Sequence, residues 1–151
     1  MDKFLYLSST DSDLLFADNE TFRFKVHLKT PLNLRGYWKV GLVECHAKQT
    51  LSKTKGSKKD EALYIFSDIC KESILQGIEQ PLLRRLQPNL KGQWAYTLDN
   101  VLYVPVRSKE ITEFQVDIRL ADGAHPSFLV SPVYMTLHLK SYPFFVDNES
   151  I

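Results

Sequence analysis

At 151 residues, the chain has the size of one domain, and such a domain buries roughly two-thirds of the surface that its unfolded chain exposes. Hydrophobic residues make up 44% of the sequence and charged residues 25%, which excludes a disordered or fibrous chain. The 19 Lys and Arg residues nearly balance the 18 Asp and Glu residues, for a net charge of +1. No overall field therefore favours nucleic acid or an anionic membrane.

The cysteine content and the start of the sequence bear on the compartment. Cys45 and Cys70 are the two cysteines, and the first four residues (MDKF) lack the long apolar run of a secretory signal. No apolar stretch approaches the roughly 20 residues that cross a bilayer. We therefore expect a reducing compartment, two free thiols and no membrane span.

In the N-terminal half, apolar and polar residues alternate with the period of a half-buried β-strand. Residues 4–7 form a short predicted strand, and residues 22–29 (FRFKVHLK) alternate throughout. A connection rich in turn residues, 31–36, leads to a further alternating segment, 37–45 (YWKVGLVEC). We predict that 22–29 and 37–45 are antiparallel neighbours.

The middle of the chain contains short runs rich in β-branched and aromatic residues, 63–69 (LYIFSDI) and 101–106 (VLYVPV), which favour strands. Residues 82–86 form a further predicted strand. Pro105 cannot donate a hydrogen bond to a neighbouring strand, so it indicates an edge position or a strand end. Residues 68–77 have room for one helical turn, but the chain lacks the apolar spacing of a full helix.

The clearest alternation of the C-terminal half lies in residues 114–119 and 133–140. About eight short antiparallel strands in total predict an all-β fold, a single jelly-roll β-sandwich that spans residues 1–151 as one domain. The apolar phases of the strands predict the core. Its expected members are Phe22, Phe24, Val26, Trp38, Val40, Leu42, Phe114, Val116, Ile118, Met135, Leu137 and Leu139.

Cysteine and histidine, the residues best suited to nucleophilic or metal chemistry, show no spacing typical of a site. Cys45 and His46 are adjacent, but neighbours on a strand point to opposite faces, so a buried structural cysteine is favoured over a catalytic pair. The histidines, His27, His46, His125 and His138, lack the spacing of a metal-binding pair. His27 and His138 lie in the polar phase of their strands, which favours a solvated or interface position. We expect no enzymatic activity, no cofactor and no metal.

Two charged stretches are candidates for binding. The acidic residues between 11 and 20 match no calcium-loop spacing, and a loop rich in Asp and Asn is typically a turn. Residues 49–60 are rich in lysine and predict an exposed, mobile loop. Its lysines are Lys53, Lys55, Lys58 and Lys59. Clustered lysines neutralise phosphates, so contact with nucleic acid or a partner, or a nuclear-import signal, stays open beside a plain solvated loop. The lack of interleaved aromatics favours the solvated loop.

Several short strings follow one another in a fixed order along nearly the whole chain. They are FLYLSS (4–9), FADNET (16–21), LNLRGYWKVGLVE (32–44), LYIFSDI (63–69), PLLRR (81–85), YVPV (103–106), FQVDIR (114–119), DG (122–123) and the strand 133–139. In this order they resemble the small minor capsid (penton) proteins of Maverick/Polinton elements and adintovirus-like viruses. The third string is similar to that family's L-x-G-x-W-x-V-x-L-x-E element. The chain departs from the family at 45–48, where CHAK replaces an aromatic and proline-containing stretch.

The resemblance implies a single jelly roll that assembles into a homopentamer at the fivefold vertices of an icosahedral shell. It implies as partners the major double jelly-roll capsid protein and other minor capsid or fibre proteins, and as location the virion, with synthesis in the host cytoplasm and assembly there or in the nucleus. A ring of identical subunits requires two different complementary flanks on each subunit. Exposed aromatics and arginines serve such contacts. The candidate arginines are Arg84, Arg85, Arg107 and Arg119.

Two other classes of function stay open. A carbohydrate- or peptide-binding jelly-roll module would use an exposed tryptophan as a stacking platform. Trp38 lies in an apolar strand phase and is predicted to be core, whereas Trp94 lies in a predicted loop and is available for stacking. An enzyme of cupin-like architecture is disfavoured by the missing histidine pattern. Self-assembly distinguishes a capsid subunit from both alternatives.

Overall fold

The computed structural model describes residues 2–49, 62–87 and 94–142. Over these ranges the chain forms β-strands and no helix, which confirms the all-β prediction. The strands are β1 (Asp2–Ser8), β2 (Arg23–Asn33), β3 (Tyr37–Gln49), β4 (Leu63–Ser67), β5 (Ser73–Leu75), β6 (Ile78–Gln80), β7 (Leu82–Leu86), β8 (Trp94–Thr97), β9 (Tyr103–Pro105), β10 (Glu110–Arg119) and β11 (Leu129–Tyr142).

The strands form two larger antiparallel sheets and one hairpin. The first sheet has the order β1-β11-β3-β8, with β9 also paired to β3, and the second has the order β2-β10-β4-β7. The pairing is nested, since β1 pairs with β11, β2 with β10, β3 with β8 and β9, and β4 with β7. The small hairpin β5-β6 lies between β4 and β7 in the chain.

The core lies between the two larger sheets, where the apolar phases of their strands meet in one cluster. Eleven of the twelve predicted core residues are buried, and Phe22 is partly buried against the same cluster. Side chains such as Phe24, Val40 and Leu137, at 0–1% exposure, each contribute roughly 1.5–3 kcal/mol by leaving water. Strand alternation therefore identified the interior of the sandwich.

The predicted pairing of 22–29 with 37–45 is wrong. The two segments become β2 and β3, which lie in different sheets, with β2 paired to β10 and β3 to β11. The connection between them crosses from one sheet to the other, with Leu34 buried and its amide donating to the carbonyl of Lys109 at 2.6 Å. Alternation shows only that one face of each strand is buried. The pattern is the same whether two strands are neighbours in one sheet or lie in opposite sheets, so it does not reveal the pairing.

The predicted helical turn at 68–77 is also wrong, because this region enters the β5-β6 hairpin. The two turn residues, Gln76 (φ 54°) and Gly77 (φ 77°), both have positive φ. Positive φ at both positions is the requirement of a type I′ hairpin turn, the kind that matches strand twist. The hairpin and β8 account for the strands that the estimate of about eight omitted.

The chain crosses closely over β3 between β8 and β9. Both strands pair with successive parts of β3, and the prediction for Pro105 is confirmed, since it is the last residue of β9. At the crossing, a Cβ atom on Gly41 would lie 2.5 Å from Cγ1 of Val101 and 3.0 Å from the carbonyl oxygen of Leu102. Only glycine fits this contact, and its missing side chain leaves space on the outer surface of the first sheet.

Candidate functional site

The outer surface of the first sheet carries a row of side chains that cross four strands. In the register of the sheet, Phe4 pairs with His138, His138 with Gly41, and Gly41 with Tyr103. Because Gly41 has no side chain, the ring of Tyr103 extends across it, and its hydroxyl lies 2.7 Å from Nδ1 of His138. Residues far apart in the sequence are therefore joined around one histidine.

His138 is the centre of this row, and its side chain is only 12% exposed. Phe4 stacks on its ring at 4.6 Å and 10°, and Tyr103 meets it edge-on at 5.6 Å. Its Nε2 atom is enclosed and lies 3.1 Å from a carboxylate oxygen of Asp2, within ion-pair range but without hydrogen-bond geometry. His138 thus connects the edge strands β1 and β9 to the centre of the sheet.

Large aromatic side chains around His138 are open to solvent. Tyr6 is 75% exposed, Tyr134 54% and Phe4 50%, and the rings of Phe4 and Tyr6 stack at 6.3 Å. We name the aromatic face as the outer surface of β1, β11, β3 and β9 that contains these residues. Its rings are Phe4, Tyr6, Tyr37, Tyr103, Tyr134, His138 and Tyr142. Contiguous exposed aromatics on a protein surface typically mark an interaction surface.

Two lysines lie over the rings at one end of the aromatic face. The ammonium of Lys39 is 4.9 Å from the ring centre of Tyr142, and that of Lys140 is 5.5 Å from Tyr103 and 5.8 Å from Tyr142. Such cation–π contacts contribute roughly 0.5–1 kcal/mol at exposed sites. Among the described residues neither lysine forms an ion pair, so both charges are available to a partner.

The charge on the aromatic face is nearly balanced. Asp2 and Glu44 lie on the same surface as Lys39, Lys48 and Lys140. A surface that binds nucleic acid needs an excess of positive charge to displace counterions. The aromatic face has an excess of a single positive charge, which favours a protein or a neutral ligand as its partner.

The four candidate arginines lie away from the aromatic face and contact their own chain. The contacts are Arg84 to the carbonyl of Asn100, Arg85 to the ring of Tyr64, Arg107 to Glu72 and Arg119 to Asp117. The Arg107 and Arg119 side chains are 44% and 36% exposed. Exposed ion pairs contribute about 0–1 kcal/mol, so a partner competes with them at little cost.

Trp94 is not available as a stacking platform, and the prediction that it lies in a loop is wrong. It is the first residue of β8, it is 2% exposed, and its Nε1 donates to Oε1 of Gln49 at 3.1 Å. Pairing of Trp94 with Ala47 of β3 directs the indole into the core. Trp38 is buried as predicted, and its Nε1 donates to the carbonyl of Arg35 at 2.8 Å.

The two cysteines are buried and unpaired, as expected. Cys45 is 2% exposed while His46 is exposed, so the two side chains point to opposite faces of β3. Burial raises the pKa of Cys45 to about 12. Burial and, to a lesser extent, the carboxylate of Asp68 raise the pKa of Cys70 to about 12, against an opposing effect of Arg107. Both thiols are protonated at neutral pH and are poor nucleophiles.

The remaining sequence candidates are dispersed. His27 is exposed on β2, whereas His125 stacks on Phe22 at 4.5 Å and lies 3.5 Å from Asp117. In the acidic stretch, Asp11 forms a turn by accepting a hydrogen bond from the amide of Ser8. Within the described ranges, no three His, Cys, Asp or Glu side chains come together to bind a metal.

The lysine-rich candidates, Lys53, Lys55, Lys58 and Lys59, lie outside the described residues. In the part of the chain that the structure describes, no helix is long and apolar enough to cross a membrane. No protein-family model matches the chain, and comparison with curated proteins finds no match. Function is therefore inferred from the chemistry and geometry of the chain itself.

Proposed function

We propose that this chain is a structural capsid protein, a penton subunit that forms homopentamers at the fivefold vertices of an icosahedral shell. The observation that carries the proposal is the aromatic face, an exposed surface rich in aromatic side chains on a two-sheet β-sandwich. The resemblance to penton proteins of Maverick/Polinton elements and adintovirus-like viruses supplies the kind of assembly. Its implied partners are the major double jelly-roll capsid protein and other minor capsid or fibre proteins, and its implied location is the virion.

The nested strand pairing supports a jelly roll. If β8 and β9 are taken as one interrupted strand and the β5-β6 hairpin as an insertion, eight strands remain. Numbered in order, they pair 1 with 8, 2 with 7, 3 with 6 and 4 with 5, and the sheets have the orders 1-8-3-6 and 2-7-4-5. These orders result when one long antiparallel hairpin of four strand pairs is wrapped into a sandwich, which is the construction of a jelly roll.

The exposed aromatics support assembly rather than a solitary domain. Tyr and Phe are enriched in the cores of protein interfaces, where a few buried rings supply most of the binding energy. Phe4 and Tyr6 lie on β1, an edge strand of the first sheet, so they are accessible to a neighbouring molecule from the front and from the side. Covering them removes apolar area from water at roughly 25 cal/mol per Å².

β2, an edge strand of the second sheet, carries the usual protection against association. On β2, Arg23, Lys25 and His27 are exposed, and Pro31 interrupts hydrogen-bond donation. Charged side chains and proline on an edge strand prevent pairing with other chains. β1 exposes Phe4 and Tyr6 at corresponding positions, which supports a role for β1 in contacts between subunits.

The proposal is tested by the mass of the purified protein, measured by light scattering after size exclusion over a range of protein and salt concentrations. We expect a discrete particle of about five times the 17.5 kDa chain mass, or a larger closed shell. Fivefold rings are uncommon among soluble oligomers, so this result is specific. A monomer under every condition contradicts the proposal.

A carbohydrate- or peptide-binding module is the second candidate, and the aromatic face gives it a specific basis. Tyr6 and Tyr134 present rings that are more than half exposed, and a sugar ring stacks on such a surface. Isothermal titration with oligosaccharides and extended peptides distinguishes the two functions. Saturable binding by a monomer, lost in Tyr6→Ser, favours the binding module over the capsid subunit.

A further inference from the structure

We infer that the β5-β6 hairpin of one copy docks on the aromatic face of a second copy, so that these two surfaces are the complementary flanks of the assembly. This inference rests on the proposed function, because it requires that the chain self-assembles. It names which surfaces meet, which the resemblance does not supply.

The hairpin and the aromatic face lie on opposite sides of the molecule. Leu75, Gln76 and Gln80 of the hairpin border a cleft with Tyr64 and Arg119, which point outward from the second sheet. The aromatic face is the outward surface of the first sheet. A contact between different surfaces on opposite sides is heterologous, and repetition of such a contact produces a ring when the rotation closes.

The hairpin exposes large apolar side chains that no element of the described ranges covers. Ile74 is 67% exposed and Ile78 62%, although each strand has only three residues. A two-stranded hairpin of this length is at best marginally stable on its own. Across the hairpin Ile74 pairs with Glu79, and both are exposed, so one outward surface combines a β-branched side chain with a carboxylate.

The charges on the two surfaces are complementary. Glu79 forms no ion pair within the described ranges, and the same holds for Lys39 and Lys140 on the aromatic face. If Ile74 packs on the exposed rings, Glu79 on the same surface of the hairpin is directed toward these lysines. Opposite charges across an interface fix its orientation and exclude wrong pairings.

Charge reversal and rescue tests the contact. We expect Glu79→Lys and Lys140→Glu each to weaken self-association at least about tenfold, because like charges then face each other. The double variant E79K/K140E restores opposite charges and is expected to recover most of the association. Ile74→Ser is expected to have a similar effect through lost apolar contact. Association is measured by light scattering and sedimentation over a concentration series.

A matched control is Leu14→Ser, since Leu14 is fully exposed in the turn before β2 and lies on neither surface. It is expected to leave the particle mass unchanged. Far-ultraviolet circular dichroism and thermal unfolding of each variant verify that the substituted residues, all on the surface, leave the fold intact.

The outcomes separate the inference from the proposed function. If the wild type forms closed particles and Ile74→Ser and both charge reversals form them equally well, the hairpin contact is wrong while the capsid function stands. If the charge reversals dissociate the particles but E79K/K140E does not recover them, Glu79 and Lys140 are not partners and the contact as stated is overturned. If the wild type is monomeric throughout, both the function and the contact fail.

Discussion

The two outer faces of the sandwich carry different kinds of side chain, although both inner faces are apolar. The first sheet presents exposed rings with a histidine at their centre. The second sheet presents exposed cations such as Arg23 and Lys25 and the ion pair of Arg119 with Asp117 at 3.0 Å, and the β5-β6 hairpin covers part of it. Folding constrains what faces the core, whereas an outward side chain is free to serve a partner. This difference is why we propose the first sheet, rather than the second, as the interaction surface.

A substitution at Gly41 is expected to disturb the outer surface of the first sheet more than any other change proposed here. In Gly41→Val the new side chain collides with Val101 and the carbonyl of Leu102, so β9 must leave β3 and Tyr103 loses His138. Overpacking of this kind costs about 3 kcal/mol at the upper end. Urea denaturation measures the cost. Lys48→Val, at an exposed position of the same strand, is the control and is expected to change stability by less than about 0.5 kcal/mol.

The second prediction concerns His138. In His138→Ala the Tyr103 hydroxyl loses its hydrogen bond and Phe4 loses its stacking partner, at an expected cost of about 2 kcal/mol. The loss should appear first as faster amide exchange in β1. His27→Ala, at an exposed histidine of β2, is the control and is expected to leave stability unchanged. Equal destabilisation by the two substitutions would show that the contacts of His138 add no stability.

The third prediction concerns the pH dependence of stability that arises from the two buried thiols, Cys45 and Cys70. The folded pKa of Cys45 and Cys70 is about 12, above the ordinary value of 9.0. Their contribution to stability is therefore complete below pH 9 and is lost as the pH rises toward 12. Each thiol adds a slope of about 1.4 kcal/mol per pH unit in that window. Denaturation between pH 7 and 10.5 tests this, and Cys45→Ala should show a shallower decline than the wild type.

The smallest effect is expected at the hairpin on the second sheet. Gln76 has φ 54° at a turn position where Asn is preferred, because Asn tolerates the left-handed region better. Gln76→Asn should stabilise the hairpin by about 0.5 kcal/mol, seen as slower amide exchange of residues 73–80. Gln76→Val, a β-branched residue that resists positive φ, should accelerate exchange in the same residues, and no difference between the two would contradict the assigned turn.

Sequence patterns correctly predicted which side chains of a strand are buried. They did not predict which strands pair with each other. Val40 and Leu42 were predicted to be buried because alternation on β3 requires it, and they are. The sheet partner of β3 was predicted wrongly, because an apolar face is the same whichever sheet it belongs to. Trp94 was misjudged because a strand of four residues gives too few alternations to distinguish it from a loop.

The aromatic face could not be predicted as a site. Phe4, Tyr103 and His138 are separated by many residues, and only the antiparallel register brings them into one row. A signal existed in the polar phase of the strands, where Tyr6 and Tyr134 occupy positions that usually carry charge. Outward aromatics on predicted strands are a pattern by which such a surface can be found.

By itself, the sequence determined the all-β class, the buried residues of the long strands and the burial of Cys45, since these depend on local alternation. The tertiary structure alone decided that Gly41 makes room for Tyr103, that His138 links β1 to β9, and that the hairpin and the aromatic face lie on opposite sides. The physical reason is that strand pairing is long-range, so the neighbours of a side chain depend on register and sheet order rather than on adjacent residues.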